Sequence, residues 1–466
     1  MIIDLATINF AGGGSGGGNG GGGTPQGNYL TLDTTGVTNM QAYFENRPIS
    51  GFNIDFTGIT NTQSAFYNTL VDDIDEVNLP DVTNARYMFA YCKRLTKAPK
   101  IIAPKLEDAS GMFNNANNIT SSPDIDLPAV TNLSDCFSVS GSNVPLLTKF
   151  PNINAPELTN ASHMFYDCEN AVGFPTINAP KLENASGMFY GCEGITSVPD
   201  LYFPELTNAE SMFGGCLGVT SFGTLSFPKV TNTASMFTNS KVATIPYFVT
   251  SNVTTMKEMF QYCLYLTSVA EYDTANVEDM SKMFYYCSKL ETVPQFNTSK
   301  VTTMSQMFQS CTNLSSVPHF NTSNVKDMTQ MLERTAVTTI PQFDTSRVTT
   351  VYRMLYSLGN GILVSLPLLD FGNVTNINMF LGTGQNALTD LGGFKDLKID
   401  WKDNYGLASC PNLTYQSVMN VINNLYDFRA NGDNTTTKTL KLHANSLALL
   451  SDADKAIATA KGWILS

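Results

Sequence analysis

Apolar and polar positions along most of this chain repeat as one unit, which returns at intervals of 22 to 25 residues with one longer gap. Its most legible part is Met-Phe-x-x-Cys, which starts at Met88, Met164, Met188, Met212, Met259, Met283 and Met307. Degenerate copies fill the intervals: Met112-Phe113, Cys136-Phe137, Met236-Phe237, Met331-Leu332, Met354-Leu355 and Met379-Phe380. Phe44 and Phe66 open the series. With the Phe or Leu as marker, fifteen copies run from Phe44 to Phe380, and the long interval from Phe137 to Phe165 carries an insertion near 138–145.

Within one unit the apolar positions follow a helical spacing. Counting from Val301, they fall at Met304, Met307, Phe308 and Cys311. At 100° per residue these lie within about 120° of one another, which predicts an amphipathic helix of about three turns. So short a helix is unstable alone and must bury its stripe. The segment that follows, with Leu314, Val317, Pro318 and Phe320, suits a short strand. Asn297-Thr-Ser, Asn321-Thr-Ser and Asp344-Thr-Ser then supply turn and capping chemistry. The predicted fold is an α/β solenoid: a leucine-rich-repeat-like, right-handed stack of about fifteen strand-turn-helix coils, roughly 70 Å long at ~4.8 Å per strand.

Two dialects share the period. Coils from about 98 to 240 place Ala-Pro or Phe-Pro ahead of the stripe, as in Ala155-Pro-Glu-Leu. Coils from about 248 to 355 use Asp/Asn-Thr-Ser-x-Val instead. The expected repeat core comprises Phe89, Phe113, Phe165, Phe189, Phe213, Phe237, Phe260, Phe284 and Phe308. It is joined by Cys168, Cys192, Cys216, Cys263, Cys287 and Cys311. These cysteines recur 24 residues apart in two sets of three, and other coils place Ala116 or Ser240 there. A stack of small buried thiols fits better than metal ligation or disulfides.

Composition narrows the function. Charged residues make up 14% of the 466, against roughly 25% in an average soluble protein. The net charge of −13 argues against a nucleic-acid binder or a polybasic membrane anchor. His163, His319 and His443 fall in different coils, and no carboxylate pair stands out, so no catalytic residue, metal site or cofactor is expected. The ladder Asp273, Asn297, Asn321, Asp344 offers oxygens of the kind Ca²⁺ takes, but half its members are uncharged amides, which favours stacked turns. Exposed aromatics remain: Tyr91, Tyr262 and Tyr286 stand two residues after their markers, with Tyr285 beside the last. Such tyrosines suit a glycan or protein partner, or simply cover grooves between coils.

The unit Asn-Thr-Ser-x-Val-Thr-x-Met-x-x-Met-Phe-x-x-Cys-x-x-Leu-x-x-Val-Pro-x-Phe resembles the BspA-like leucine-rich repeats over roughly residues 31–395. Proteins with these repeats include bacterial surface proteins, mycoplasma lipoproteins, protist surface proteins and some bacteriophage virion proteins. The resemblance implies surface attachment or recognition and brings no catalytic residues.

The ends differ from the repeats. Residues 1–11 read as a β-prone docking peptide, the alternative being a disordered start, and 12–28 as a glycine-rich linker. No Gly-Lys-Ser/Thr follows the glycines, so a phosphate loop is excluded. Asp4 and the lack of a basic n-region argue against a secretory signal. The solenoid is assigned 29–395 and a C-terminal capping region 396–466, where Val418, Val421, Ile422 and Leu425 are helically spaced. The closing Ala-Ile-Ala-Thr-x-Lys-Gly-Trp-x-Leu resembles the ends of repeat-containing phage tail or fibre proteins.

The expected function is a non-enzymatic structural and recognition protein of a phage particle, a tail or head fibre located in the virion after synthesis in the host cytoplasm. Its expected partners are other virion proteins through the N-terminus and a host-surface glycan or protein. No nucleic acid or membrane insertion is expected, and a homotrimer would suit a fibre. A bacterial cell-surface adhesin and a surface-glycan depolymerase are the alternatives.

Overall fold

The computed structural model describes residues 9–11, 28–140, 146–359 and 362–466. The docking-peptide and linker expectations lie outside the described residues except at 9–11 and 28, and so does the insertion at 141–145. The described chain is a leucine-rich-repeat-like β-solenoid of about 18 turns, and its α-helices all follow Thr414. The expected strand-turn-helix coil, and the count of fifteen, are thereby corrected.

The backbone hydrogen bonds explain why the amphipathic stripe is not a helix. In the coil of Phe89, the amides of Ala85, Tyr87, Phe89 and Tyr91 donate to the carbonyls of Asp108, Ser110, Met112 and Asn114 in the next coil, at 2.8–2.9 Å. The amides between them turn back: Met88, Ala90 and Cys92 donate to Ala85, Tyr87 and Phe89 of their own coil at 3.1–3.3 Å. An α-helix would spend every amide on its own carbonyls. Here alternate amides bond the coils together.

This staircase needs a left-handed residue on each side of the marker. Tyr87 (φ 54°) and Tyr91 (φ 60°) flank Phe89, and Lys282 (φ 54°) and Tyr286 (φ 60°) flank Phe284. A turn repeating every four residues also brings residues spaced three and four apart to one side, so its apolar signature matches that of a helix. Left-handed geometry costs about 1–2 kcal/mol at a non-glycine residue. Each coil-to-coil bond returns about 1 kcal/mol, and burial of the stripe adds the rest. In the coil of Phe189 both positions are glycine, Gly187 and Gly191, which take positive φ without that strain.

The structure divides into two compact units, 1–230 and 231–466. In the first, marker rings stack from Phe44 through Phe66, Phe89, Phe113, Phe137, Phe165 and Phe189 to Phe213, with centroids 5.3–6.1 Å apart. Strands β1 (Asn9–Ala11), β2 (Asn28–Leu32) and β3 (Ile49–Ile54) open this unit. β1 pairs antiparallel with β2 and so covers the edge of the first coil, while β2 and β3 run parallel. Later coils keep short parallel ladders: Ile153 and Ala155 donate to Thr176 and Asn178 at 2.9 and 3.0 Å.

In the second unit the marker stack runs Phe237, Phe260, Phe284, Phe308 at 5.4–5.8 Å. Here the two dialects acquire a structural meaning. Among the described residues no strand forms between 227 and 364, and a threonine hydroxyl replaces the backbone ladder. Thr298 Oγ1 donates to the Asn321 carbonyl at 2.8 Å, Thr322 to Asp344 at 2.9 Å and Thr345 to Asp370 at 2.8 Å. All three threonines are buried. Beside them the Asn or Asp Oδ1 accepts the amide two residues on, from Ser299, Ser323 and Ser346 at 3.0–3.1 Å. The Asn-Thr-Ser motif is therefore an Asx turn plus a bond between coils.

Helical spacing makes real helices near the C-terminus. α1 (Tyr415–Asn424) is capped by the Thr414 side chain and buries Val418, Val421 and Ile422. α2 (Ala444–Ala448) is followed by α3 (Asp452–Ala460), which starts with a Ser451/Asp454 capping box. Strand Lys438–Leu440 pairs parallel with Trp463–Leu465, and Trp463 Nε1 donates to the Tyr426 carbonyl at 2.9 Å.

The hydroxyl bridge gives a direct test. Thr322→Val keeps shape but leaves the Asp344 carbonyl without its donor, and is expected to lower stability by about 1–3 kcal/mol. Thr322→Ser retains the donor and should lose clearly less. A urea midpoint unchanged by the valine would refute a bonding role for the hydroxyl.

Candidate functional site: the open surfaces of the second unit

Three of the four sequence-predicted tyrosines occupy the left-handed position of the staircase, and Tyr285 stands just before it. Tyr91, Tyr262 and Tyr286 have φ of 60°, 58° and 60°. The structure brings three of the four together. Tyr262 lies 5.4 Å from Tyr285 and 5.3 Å from Tyr286, and Tyr285 and Tyr286 are 4.7 Å apart. Tyr91 belongs to the first unit, where it meets Tyr67 at 5.2 Å. Tyr262 is 38% exposed and the others are half-buried. Burial, then the neighbouring Tyr262 and Tyr286, push the Tyr285 hydroxyl up to about 12. The cluster is a self-packed aromatic ladder with one accessible ring. On the same staircase the buried Glu333 is held by Arg353 at 2.7 Å and Gln330 at 2.6 Å.

A second surface was not singled out from the sequence. A trough of about 880 Å³ crosses the coils of the Asn-Thr-Ser dialect. Gln295, His319, Gln342 and Leu368 line it together with Asn297, Asn321, Asp344 and Asp370. Phe296, Phe320 and Phe343, lying between these positions in sequence, are buried. Lys395, the one lysine or arginine of the lining, is paired with Asp370 at 3.0 Å. The sequence signal was available: the polar residues alternate with an inward Phe at a constant offset in successive coils. Asp344 is held below the usual carboxylate range by the side-chain and backbone hydrogen bonds from Ser346.

The cysteine ladder is buried and reduced. All nine cysteines are free and buried. Cys192, Cys216, Cys287 and Cys311 direct Sγ at the marker carbonyl of the preceding coil, those of Phe165, Phe189, Phe260 and Phe284, at 3.0–3.1 Å. Cys263 makes the same bond to Phe237 at 3.1 Å, and Cys168 a longer one to Phe137 at 3.6 Å. Burial pushes the thiols of Cys136, Cys216, Cys263 and Cys410 up to about 12. The core markers Phe89, Phe113, Phe165, Phe189, Phe213, Phe237, Phe260, Phe284 and Phe308 are likewise at most 5% exposed. Among the described residues no group of three or more His, Cys, Asp or Glu is placed to hold a metal ion, and no helix is long and apolar enough to cross a membrane.

Four overlapping stretches, 26–126, 107–224, 207–293 and 289–392, match the family model described as "Mycoplasma protein of unknown function, DUF285". The chain belongs to this family. The DUF285 matches tile the repeats of both units and stop before the C-terminal helices. No curated protein matches the sequence. Among solved structures, an internalin, InlF, from Listeria monocytogenes is 12% identical, with 79% of this chain and 82% of that one covered and a TM-score of 0.20. The functional domain of InlJ from the same species, which includes a cysteine ladder, is 11% identical over 88% and 66%, with a TM-score of 0.17. A plant peptide hormone receptor, RGFR1, is 11% identical over 90% and 70%, with a TM-score of 0.18. At such values the fold rests on the coils themselves.

The buried thiols set the alkaline limit. Their folded pKa lies above the unfolded value of ~8.5, so the stabilisation is complete below pH ~8.5 and is lost as pH rises toward about 12. Titration with a thiol reagent at pH 8 should find no reactive cysteine in the native protein and nine after unfolding. Rapid native labelling of Cys216 or Cys263 would contradict the buried ladder.

Proposed function

We propose that this DUF285 chain is a non-enzymatic structural and recognition protein, a tail or head fibre of a phage particle that attaches to a host surface. The trough of the second unit carries the reading. It is wide, nearly neutral and open across successive coils, and its lining mixes polar side chains with apolar ones, as suits a surface that holds a partner and releases it unchanged. The tyrosine ladder adds an accessible ring at Tyr262. The placement in a phage particle rests on the glycine tract near the N-terminus and on the fibre-like C-terminal residues. Other virion proteins would join at the N-terminus, and a trimer would multiply the contacts. Membership of a family described from Mycoplasma favours a second reading, a bacterial cell-surface adhesin.

Two measurements test this. Mass spectrometry of purified particles should find the chain at stoichiometric amounts; its absence from particles, with presence on cell surfaces, would select the adhesin. In the second, the purified chain should bind host cells, and Tyr262→Ser/Tyr286→Ser should weaken that binding about tenfold. The fold tolerates serine there, since Ser310 and Ser357 adopt the same left-handed conformation. Undiminished cell binding by the double variant would remove the tyrosine ladder from the contact.

A further inference from the structure

The hydrogen bonds that hold the trough together also define what it offers a ligand. Gln295 Nε2 donates to the His319 carbonyl at 2.8 Å, and Gln342 Nε2 to the Leu368 carbonyl at 2.6 Å. A carbonyl can only accept, so each glutamine must turn its Nε2 toward it, which fixes the amide orientation and leaves each Oε1 as an acceptor. Asn297 and Asn321 are fixed the opposite way. Each Oδ1 accepts a serine amide at 3.1 Å, which leaves each Nδ2 as a donor. Those Oε1 and Nδ2 atoms have no hydrogen-bond partner among the described residues. Nor do the backbone amides of Gln295, Asn297, His319, Asn321, Gln342 and Asp344, because this dialect has given up the backbone ladder. Asp344 adds a carboxylate whose Oδ1 already accepts from Ser346, and Lys395 is committed to Asp370.

We propose that this trough binds a linear, uncharged saccharide lying across the coils, a ligand class that rests on the recognition role above. A hydroxyl both donates and accepts, so a chain of hydroxyls satisfies both the glutamine acceptors and the asparagine donors. An anionic saccharide would meet Asp344 without a free cation to offset it. An extended peptide fits the spacing badly. Its two-residue repeat is ~6.8 Å, whereas coils follow one another at ~4.8 Å, so its groups fall out of register within two coils. Phe296, Phe320 and Phe343 line the trough but are almost wholly buried, so they offer a peptide little apolar surface for a side-chain anchor.

The test uses the whole chain on an array of linear neutral oligosaccharides and their uronic-acid counterparts, followed by calorimetric titration of the neutral sugar bound best. Asn297→Asp/Asn321→Asp removes both donors and adds charge but keeps the Asx turns, as Asp344 and Asp273 already do in equivalent places. The expected result is binding of neutral sugars, little or none of the uronic acids, and at least tenfold weaker binding by the double variant at an unchanged melting temperature. Equal or tighter binding of uronic acids, or neutral binding indifferent to the double variant, would overturn the proposal. No array binding by a chain that still binds host cells would overturn the saccharide trough alone. Failure to bind both cells and array would overturn the recognition role with it.

Discussion

The structure depends on the alternate backbone amides that leave one coil and bond the next. Ala85, Tyr87, Phe89 and Tyr91 reach Asp108, Ser110, Met112 and Asn114, and the pattern recurs coil after coil. To aim those amides along the stack, the backbone takes a left-handed residue every fourth position, even where that residue is Tyr, Lys, Gln or Arg. No single coil recovers the strain, because its bonds have no partner until a neighbour is in place. Stability is therefore a property of the stack. The phenylalanine rings and buried thiols fill the space that this spacing creates.

The remaining side of each coil has been joined in two ways. The first unit uses strand backbones, as between Ile153 and Thr176. The Asn-Thr-Ser coils of the second use a buried threonine hydroxyl and an Asx turn, and so free the backbone amides next to them. Giving up a ladder costs stability locally and leaves a surface with unspent hydrogen-bonding groups. The trough is thus the by-product of a change in turn chemistry that leaves the period untouched.

Low charge belongs to the same logic. A side chain repeated every period faces its own copy, so like charges would repel along the stack. Neutral Asn, Thr and Ser avoid this, and several charged residues one period apart are of opposite sign: Lys105 on Asp81, Lys181 on Glu157, Lys229 on Glu205. Such exposed pairs contribute about 0–1 kcal/mol each. In these pairs the opposite sign matters chiefly because the reverse would be unfavourable.

The sequence by itself determined the period, the marker Phe and Cys positions, the turn role of Asn-Thr-Ser and the change of dialect near residue 240. All of these are written in residue types recurring at fixed intervals. It also assigned Tyr91, Tyr262 and Tyr286 to one place in the repeat with Tyr285 beside the last, though not that Tyr262, Tyr285 and Tyr286 pack mainly on one another. Only the tertiary structure decided that the stripe from Val301 to Cys311 is a staircase of turns. Spacings of three and four suit both a helix and a turn repeating every four residues, and what separates them is whether an amide finds its acceptor within the coil or in the next one. The sequence shows polar residues alternating with an inward Phe along the trough but not its free hydrogen-bonding groups, because an unpartnered amide is defined by what its neighbours have already bonded. In α1 (Tyr415–Asn424) the same spacing does make a helix, with a side-chain cap at Thr414 and amides bonded within the segment.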